Sequence, residues 1–380
     1  MVTSLYLDYN ASTPLAPEVA EFMVDILSSH YGNADSRTHE HGAAARDVVE
    51  TGRQNIASLL AIEPNEVIFT SGATESNNIV LTGMAPHGLN VSKKHIITTA
   101  IEHKSILEPL KHLEKQDFEV DYVSPDESGR VSVESIISKV RKDTLMVSVM
   151  SANNETGVIQ PFIEIGDALA GTDVYFHMDT AQGCGKLVNE LRTVKYDMMS
   201  ITAHKMYGPQ GVGALILRNR KYRKPPVKPI TFGGDHESGF RPGTLPIVLI
   251  AGFGKAAEIT AKNFEKRWKR YKEIKMKILR LLDASGVRYE INGTQEFCMP
   301  NTLNISFFGV DSEALMLATK QYCSLSNGSA CTSKDYAHSH VLTAMGLSEE
   351  RIESAIRISW GTVFEEANLI KMLQTAKNLA

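Results

Sequence analysis

Residues 145–179 read LMVSVMSANNETGVIQPFIEIGDALAGTDVYFHMD, and this stretch decides the fold. Its two ends, 145–150 (LMVSVM) and 174–179 (VYFHMD), are short apolar runs that close on polar or small residues. Between them, 162–170 carries apolar residues at helical spacing. Strand, helix, strand is the pattern of a parallel pair joined by a crossover.

The pattern repeats on both sides. Further strand candidates lie at 66–70 (EVIFT), 95–99 (HIITT), 118–124 (FEVDYVS), 198–203 (MMSITA) and 212–217 (VGALIL), with helical periodicity at 104–115 and 133–140. Together they predict an α/β fold with a mostly parallel seven-stranded sheet covered on both faces. The closely spaced runs 198–203 and 212–217 can instead pair antiparallel. Beyond residue 245 the texture changes. A helical stretch rich in Lys and Arg runs from Ile247 into the 280s, and strand candidates follow at 301–308 (NTLNISFF) and 355–359 (AIRIS). A chain of 380 residues exceeds one ordinary core. The expected division is a large domain over 15–260 and a smaller α+β domain made of 1–14 and 261–380.

Composition excludes several classes. A net charge of −4 gives no global attraction to nucleic acid or to an anionic membrane. The basic runs 218–228 and 266–277 read as solvated faces, with a docking patch as the minority reading. No run approaches the roughly 20 apolar residues of a membrane helix. The start, MVTSLYLDYNASTPLAPE, lacks the basic and apolar segments of a signal peptide. It also carries Asp8 and Glu18 and no Arg, unlike a transit peptide, so the expected compartment is the cytoplasm. The four cysteines are scattered and form no C-x-x-C pair, which argues against both a disulfide framework and a zinc site. Cys184, Cys298 and Cys323 read as small buried hydrophobes. Cys331 differs, because it follows the small, polar segment SLSNGSA at 324–330. A thiol in such a loop can be reactive, and a loop can carry it between an interior site and an external acceptor. The clusters His39-Glu40-His41 and His338-Ser339-His340 lack zinc-pair spacing and read as surface or structural residues, so no metal is expected.

Ligands of open α/β sheets bind beyond the carboxyl ends of the strands. Five strand candidates hand over to chemically useful residues: Ser71–Glu75, Glu102–Lys104, Asn153–Gly157, Asp179–Gln182 and Ala203–Lys205. One His or Asn at such a place is an ordinary structural residue. Five equipped ends in one sheet form a constellation. A lysine there can form a Schiff base with an aldehyde cofactor. Pyridoxal phosphate further needs a carboxylate at its ring nitrogen, a phosphate cradle and a planar group on the ring face. Lys205, Asp179, Gly72–Thr74 with Thr202 and His204, and His103 fit these needs in turn.

Motifs along nearly the whole chain carry a resemblance. They are YLDYNASTPL, YGNADSRTHEHG, FTSGATESNN, EHKS, NNETGVIQP, HMDTAQ, TAHKMYGPQGVG, GGDHESGFRPGTLP, SNGSACTS and IRISWG. The chain resembles the cysteine desulfurases of the NifS/IscS-like group, within the class V aminotransferase family of fold type I pyridoxal-phosphate enzymes. The resemblance implies that Lys205 carries the cofactor, Asp179 pairs with its pyridine nitrogen and Gln182 bonds its ring oxygen. It implies that His103 stacks on the ring and moves protons, and that Ala73, Thr74, Thr202 and His204 hold the phosphate. Thr244 is implied to reach the cofactor phosphate of a partner subunit, hence a homodimer. Asn154 and Arg357 are implied to bind the carboxylate of an L-cysteine substrate, and Cys331 to take its sulfur as a persulfide, leaving L-alanine. A sulfur-acceptor protein is implied without being identified; iron–sulfur assembly, tRNA thiolation and DNA phosphorothioation are the family's outlets. Direct nucleic-acid binding is not expected. Two departures stand out. Pro242 precedes Gly243 where a small polar residue is usual, and the chain ends soon after Trp360-Gly361, without the tail some members use to dock a scaffold. The competing readings are a selenocysteine lyase, another class V aminotransferase, and a non-catalytic scaffold.

Overall fold

The computed structural model describes residues 4–220, 223–327 and 338–380. Its main sheet contains β1 Val67–Thr70, β2 His95–Thr99, β3 Glu119–Val123, β4 Thr144–Ser148, β5 Tyr175–Asp179, β6 Met198–Thr202 and β7 Gly213–Leu217. The spatial order is β1-β7-β6-β5-β4-β2-β3. β7 runs against its two neighbours, β1 and β6, and the remaining pairs are parallel. The expected seven-stranded, mostly parallel sheet is present, and 198–203 with 212–217 takes the antiparallel option. The segment between them is shorter than the dozen or so residues a parallel crossover needs.

The helices used below are α1 Glu40–Leu60, α2 Ala73–Asn90, α3 Lys104–Glu114, α4 Phe162–Leu169, α5 Ile247–Ser285, α6 His340–Ala344 and α7 Glu366–Leu379. α4 is the crossover of the 145–179 unit. Side chains alternate across each strand, so the sheet buries two faces. Ala214 and Ile216 of β7 join a core with Phe69, Ile97, Val147 and Phe176. Leu215 and Leu217 join another with Ile68, Ile96, Met146 and Met198.

α1 and α5 close the first of these cores. They touch at Gly52 and Gly254, where a Cβ on Gly254 would lie 2.4 Å from the Gly52 Cα. A side chain at either place would push the helices apart. α5 is 39 residues long, and its far half serves a separate core. There Tyr271, Ile274, Ile278 and Leu282 pack with Leu303, Ile305, Ile356 and Ile358 and with Leu369 and Met372 of α7. Burying each such aliphatic side chain contributes about 1.5–3 kcal/mol, which fixes the helix against the small antiparallel sheet. That sheet is β8 Tyr289–Ile291, β9 Thr302–Phe307 and β10 Ala355–Ser359, with β9 central. Leu7 is buried in the same core, and Leu5–Tyr6 pairs in parallel with Cys323–Ser324. Strands of two or three residues carry too little pattern to read from sequence.

The basic run at 218–228 is a correction. Arg218 pairs with Glu66, Arg220 with Asp197, and Lys224 donates to the Asn65 carbonyl. These cations brace the edge of the sheet instead of forming a free face. Among the described residues, no helix is long and apolar enough to cross a membrane.

Candidate active site

The carboxyl ends of β1, β2, β4, β5 and β6 open on one edge. Register brings them level: Asp179 lies beside Ser200, while Thr202 and Thr70 flank Gly213. A cavity of ≈ 640 Å³ occupies this edge. Ala73 and Thr74 line it from the first turn of α2, and His103 from the residue before α3. Asn154, Asp179 and Gln182 line it from the loops after β4 and β5. Thr202, His204 and Lys205 do so after β6, and Arg357 reaches it from β10. Thr244 is exposed and not part of this lining. Cys331 lies outside the described residues.

Asp179 is 5% exposed. Its Oδ1 accepts from the Ala181 N–H at 2.9 Å, and its Oδ2 accepts from the Asn77 side-chain N–H at 2.8 Å. The same Asn77 Nδ2 donates to Ser105 Oγ at 2.8 Å, and that hydroxyl sits 2.8 Å from His103 Nδ1. Nδ1 also accepts the Ser105 backbone N–H at 3.1 Å, because His103 is the N-cap of α3. With Nδ1 committed as acceptor, the neutral ring carries its proton on Nε2. Burial pushes the His103 pKa down; the Asp179 charge opposes this, and Lys205 adds to the depression. The imidazole is therefore neutral at pH 7.

At the other end of the cavity, Gly72 starts α2 with φ 156°, and no side chain caps the helix. Ser76 N–H is bonded back to Gly72 O at 3.1 Å, so the preceding N–H groups of the first turn have no intrahelical acceptor. A Cβ on Gly213 would lie 2.6 Å from the Gly72 Cα, which is why β7 can pass so close to this turn. An uncapped helix start beside Thr74 and Thr202 suits a phosphate. His204 stands nearby, its ring Nδ1 3.3 Å from Ser12 Oγ. Burial, then Lys205 and Lys186, push its pKa down to about 4.

Lys205 ends a single 3₁₀ turn, Ala203–Lys205, directly after β6. The N-terminal segment clamps that turn. Thr13 donates its N–H and its hydroxyl to the His204 carbonyl at 2.8 and 2.9 Å, and its Oγ1 accepts from the Tyr207 N–H at 2.8 Å. Asn10 is equally placed: its carbonyl accepts from Gln182 Nε2 at 2.8 Å, and its side chain donates to the Asn154 carbonyl at 3.2 Å. Arg357 donates to the same Asn154 carbonyl at 3.0 Å and is ion-paired to Asp8. These bonds account for the YLDYNASTPL motif.

Sequence reasoning missed Asn10, Asn77 and Ser105, all ordinary polar letters whose partners lie far along the chain. His338 and His340, expected to be surface or structural, both line the cavity; His338 is exposed, and His340 Nε2 is 2.9 Å from the Glu102 carbonyl. Ser339 donates to the buried Glu155 carboxylate and caps α6. His338 also lies near the exposed Glu349 and Glu353, with ligand atoms within 4.8 Å of one another. Cys184, Cys298 and Cys323 are buried free thiols, as expected.

A family model described as "Aminotransferase class-V" matches residues 5–371. The chain belongs to the class V aminotransferase family. Among curated relatives, "Cysteine desulfurase IscS" of Vibrio cholerae serotype O1 is 41% identical over 97% of this chain and 91% of its own length. Among solved structures, DndA from Streptomyces lividans is 43% identical with a TM-score of 0.82, covering 94% of this chain and 99% of that one. SspA in complex with cysteine is 32% identical with a TM-score of 0.81, covering 95% and 99%. The fold is thus the fold type I architecture, and the class V family uses pyridoxal phosphate. The local chemistry fits that cofactor on its own terms: an uncapped helix start for the phosphate, a buried carboxylate held by two N–H donors, a neutral imidazole and a lysine share one cavity.

Proposed function

We propose that the protein is a pyridoxal-phosphate-dependent cysteine desulfurase that converts L-cysteine to L-alanine and carries the sulfur as a persulfide on Cys331. The observation that carries this reading is the convergence of Lys205, Asp179 and His103 on one cavity that Arg357 also lines. The relatives' names, and the cysteine bound to SspA, support the choice of substrate.

When bound, pyridoxal phosphate withdraws electrons from the substrate Cα and makes its proton removable. Lys205 Nζ would attach the cofactor and would serve as the base for that proton. Asp179 holds a proton on the ring nitrogen through a charge-assisted bond, and Asn77 and the Ala181 N–H keep its carboxylate in place. His103 would face the cofactor ring and hold or move a proton at Nε2. Gln182 orients the ring oxygen. Ala73, Thr74, Thr202 and His204 bind the phosphate. Arg357 and Asn154 take the substrate carboxylate. The Cys331 thiolate attacks the substrate sulfur; the Cβ–S bond breaks and its electron pair stays with the three-carbon fragment, which is reprotonated and leaves as alanine.

The proposed assembly is a homodimer in which Thr244 completes the partner's phosphate site. Its exposure supports this, as do the uncovered apolar side chains of Val24, Leu27, Tyr31 and Phe232. The proposed division is a large domain at 15–260 and a small one at 1–14 with 261–380, supported by the separate core under the far half of α5. The proposed compartment is the cytoplasm, and the final acceptor is a protein that removes sulfur from Cys331.

The test is direct. The purified protein should be yellow, borohydride should fix the cofactor on the Lys205 peptide, and added cysteine should yield alanine and reducible sulfur in equal amounts. A colourless protein that takes up no pyridoxal phosphate would sink the reading.

A further inference from the structure

Tyr207 stands two residues after Lys205 and holds a backbone conformation that bulky side chains rarely adopt. Its φ is 65°, in the left-handed region where Gly and Asn are the ordinary occupants. The turn itself gains nothing from an aromatic residue. The Tyr207 N–H donates to Thr13 Oγ1 at 2.8 Å, and the Tyr207 carbonyl accepts from the Ala16 N–H at 3.0 Å. Any residue with an N–H would make both bonds. The chain folds back here, so that the Met206 and Gly208 N–H groups both donate to the Ala203 carbonyl at 3.0 Å. Strain of this kind persists only where the surroundings over-determine it, so the reason for Tyr207 lies in its side chain.

That side chain serves α5. Tyr207 is not among the residues that line the cavity. Its hydroxyl lies 2.8 Å from that of Tyr271, and the guanidinium of Arg267, one turn earlier on α5, sits 4.5 Å from its ring centroid. The Tyr9 ring meets it edge-on at 6.3 Å. These partners are themselves fixed. Tyr271 is 3% exposed and belongs to the core under the far half of α5, and its carbonyl accepts from Trp360 Nε1 at 3.2 Å. Arg267 donates to Thr260 Oγ1 at 3.2 Å. The turn that carries Lys205 is thus held by the N-terminal segment through backbone bonds and by α5 through the Tyr207 ring.

We propose that Tyr207 is a positioning residue whose ring and hydroxyl fix the Ala203–Gly208 turn to α5, and so hold Lys205 where its Nζ reaches both the cofactor and the substrate α-proton. This rests on the assignment of Lys205 as the cofactor lysine. A lysine side chain is a flexible stem, so the precision of the second task must come from the backbone beneath it. A displacement of about 1 Å caused far from the chemistry can cost roughly 10²-fold in rate.

The holoenzyme supplies two readouts. Visible circular dichroism reports how rigidly the bound cofactor is placed, and deuterium exchange at the substrate α-carbon reports proton removal. Tyr207→Asn tolerates the left-handed backbone and removes the ring. It should take up pyridoxal phosphate with near-native absorbance, yet its visible dichroism should weaken and its α-proton exchange should slow roughly 10²-fold. Tyr207→Phe and Tyr271→Phe each delete one hydroxyl of the pair, and each should slow exchange by roughly two- to tenfold, the scale of one neutral hydrogen bond. The double variant should be no slower than either alone, because both changes remove the same contact. If Tyr207→Asn does not fold, the two Phe variants carry the test. A lower melting temperature with native dichroism and native exchange would make Tyr207 a structural residue only and overturn the proposal, as would additive effects of the two Phe substitutions; either result leaves the function intact. Absence of any cofactor absorbance in the native protein, or borohydride labelling elsewhere than Lys205, would bring down both.

Discussion

Asn77 donates its side-chain N–H to the Asp179 carboxylate at 2.8 Å and, from the same nitrogen, to Ser105 Oγ at 2.8 Å. Ser105 in turn meets His103 Nδ1. One helix residue thereby sets the carboxylate proposed for the ring nitrogen and, two bonds away, the tautomer of the imidazole on the ring face. Both are needed together: an anionic Asp179, and a His103 that presents Nε2–H.

Asn77→Ala should therefore weaken cofactor binding without abolishing it. Losing a hydrogen bond to a buried charge costs about 1.5–3 kcal/mol, so the Kd for pyridoxal phosphate should rise roughly tenfold or more. Titrating apoenzyme by absorbance measures this. An unchanged Kd would mean that Asp179 is held by the Ala181 N–H alone.

Much of this site was legible in the sequence. Asp179 ends a strand, and Lys205 and Ala73–Thr74 come three or four residues after one, so placing the strand places the residue. Asn77 gave no such signal. It is a polar letter in the second turn of a helix, and its meaning comes from two partners, 28 and 102 residues away. Asn10 was hidden for the same reason. His340 was read as a surface or structural residue, because the sequence could not tell that α6 returns to the cavity rim. The two-residue pairing of Leu5–Tyr6 with Cys323–Ser324 carries no periodicity at all, yet it ties the N-terminal motif to the segment leading toward Cys331.

Glu102 gives a prediction about pH. It is fully buried; Met150 N–H and Thr99 Oγ1 both donate to its Oε1 at 2.8 Å. Burial pushes its carboxyl up to about 8 from 4.5, against the pull of those two donors. The folded protein thus holds a proton that the unfolded chain releases. Its contribution is fully present below pH 4.5 and is lost as pH rises to about 8, at up to about 1.4 kcal/mol per pH unit. Glu102→Gln cannot ionise. It should melt above the native protein at pH 8 and close to it at pH 5, as followed by urea unfolding at each pH. Equal destabilisation at both would show that Glu102 is ionised in the fold.

Thr244 and Lys205 are predicted to serve one site from two chains. A Lys205→Ala subunit and a Thr244→Ala subunit should each form homodimers of little or no activity. Mixed, they should generate one intact site per heterodimer: the chain with Lys205 receives Thr244 from its partner. Activity should then recover toward half the native value per dimer when the two are unfolded and refolded together. No recovery, with heterodimers confirmed by mass, would show that each site is built from a single chain.

Cys331 separates a desulfurase from its relatives on the same scaffold. Attaching the substrate amine and removing the α-proton need Lys205, Asp179 and the ring, and no protein thiol. Taking the sulfur needs a thiolate, since the neutral thiol is a poor nucleophile and an ordinary cysteine, with pKa about 8.5, is mostly protonated at pH 7. Cys331→Ser should therefore bind cysteine and exchange the substrate α-proton for deuterium at near-native rates, yet form almost no alanine and carry no added sulfur. Cys184, Cys298 and Cys323 cannot substitute for it, because all three are buried and their thiols are pushed up by that burial, Cys184 and Cys323 to about 12. Mass spectrometry after exposure to cysteine should find the extra sulfur on the Cys331 peptide of the native enzyme and on no peptide of the variant. If Cys331→Ser released alanine at the native rate, the sulfur would be leaving without a protein acceptor, and a lyase that frees sulfide directly would be the correct reading of the same cavity.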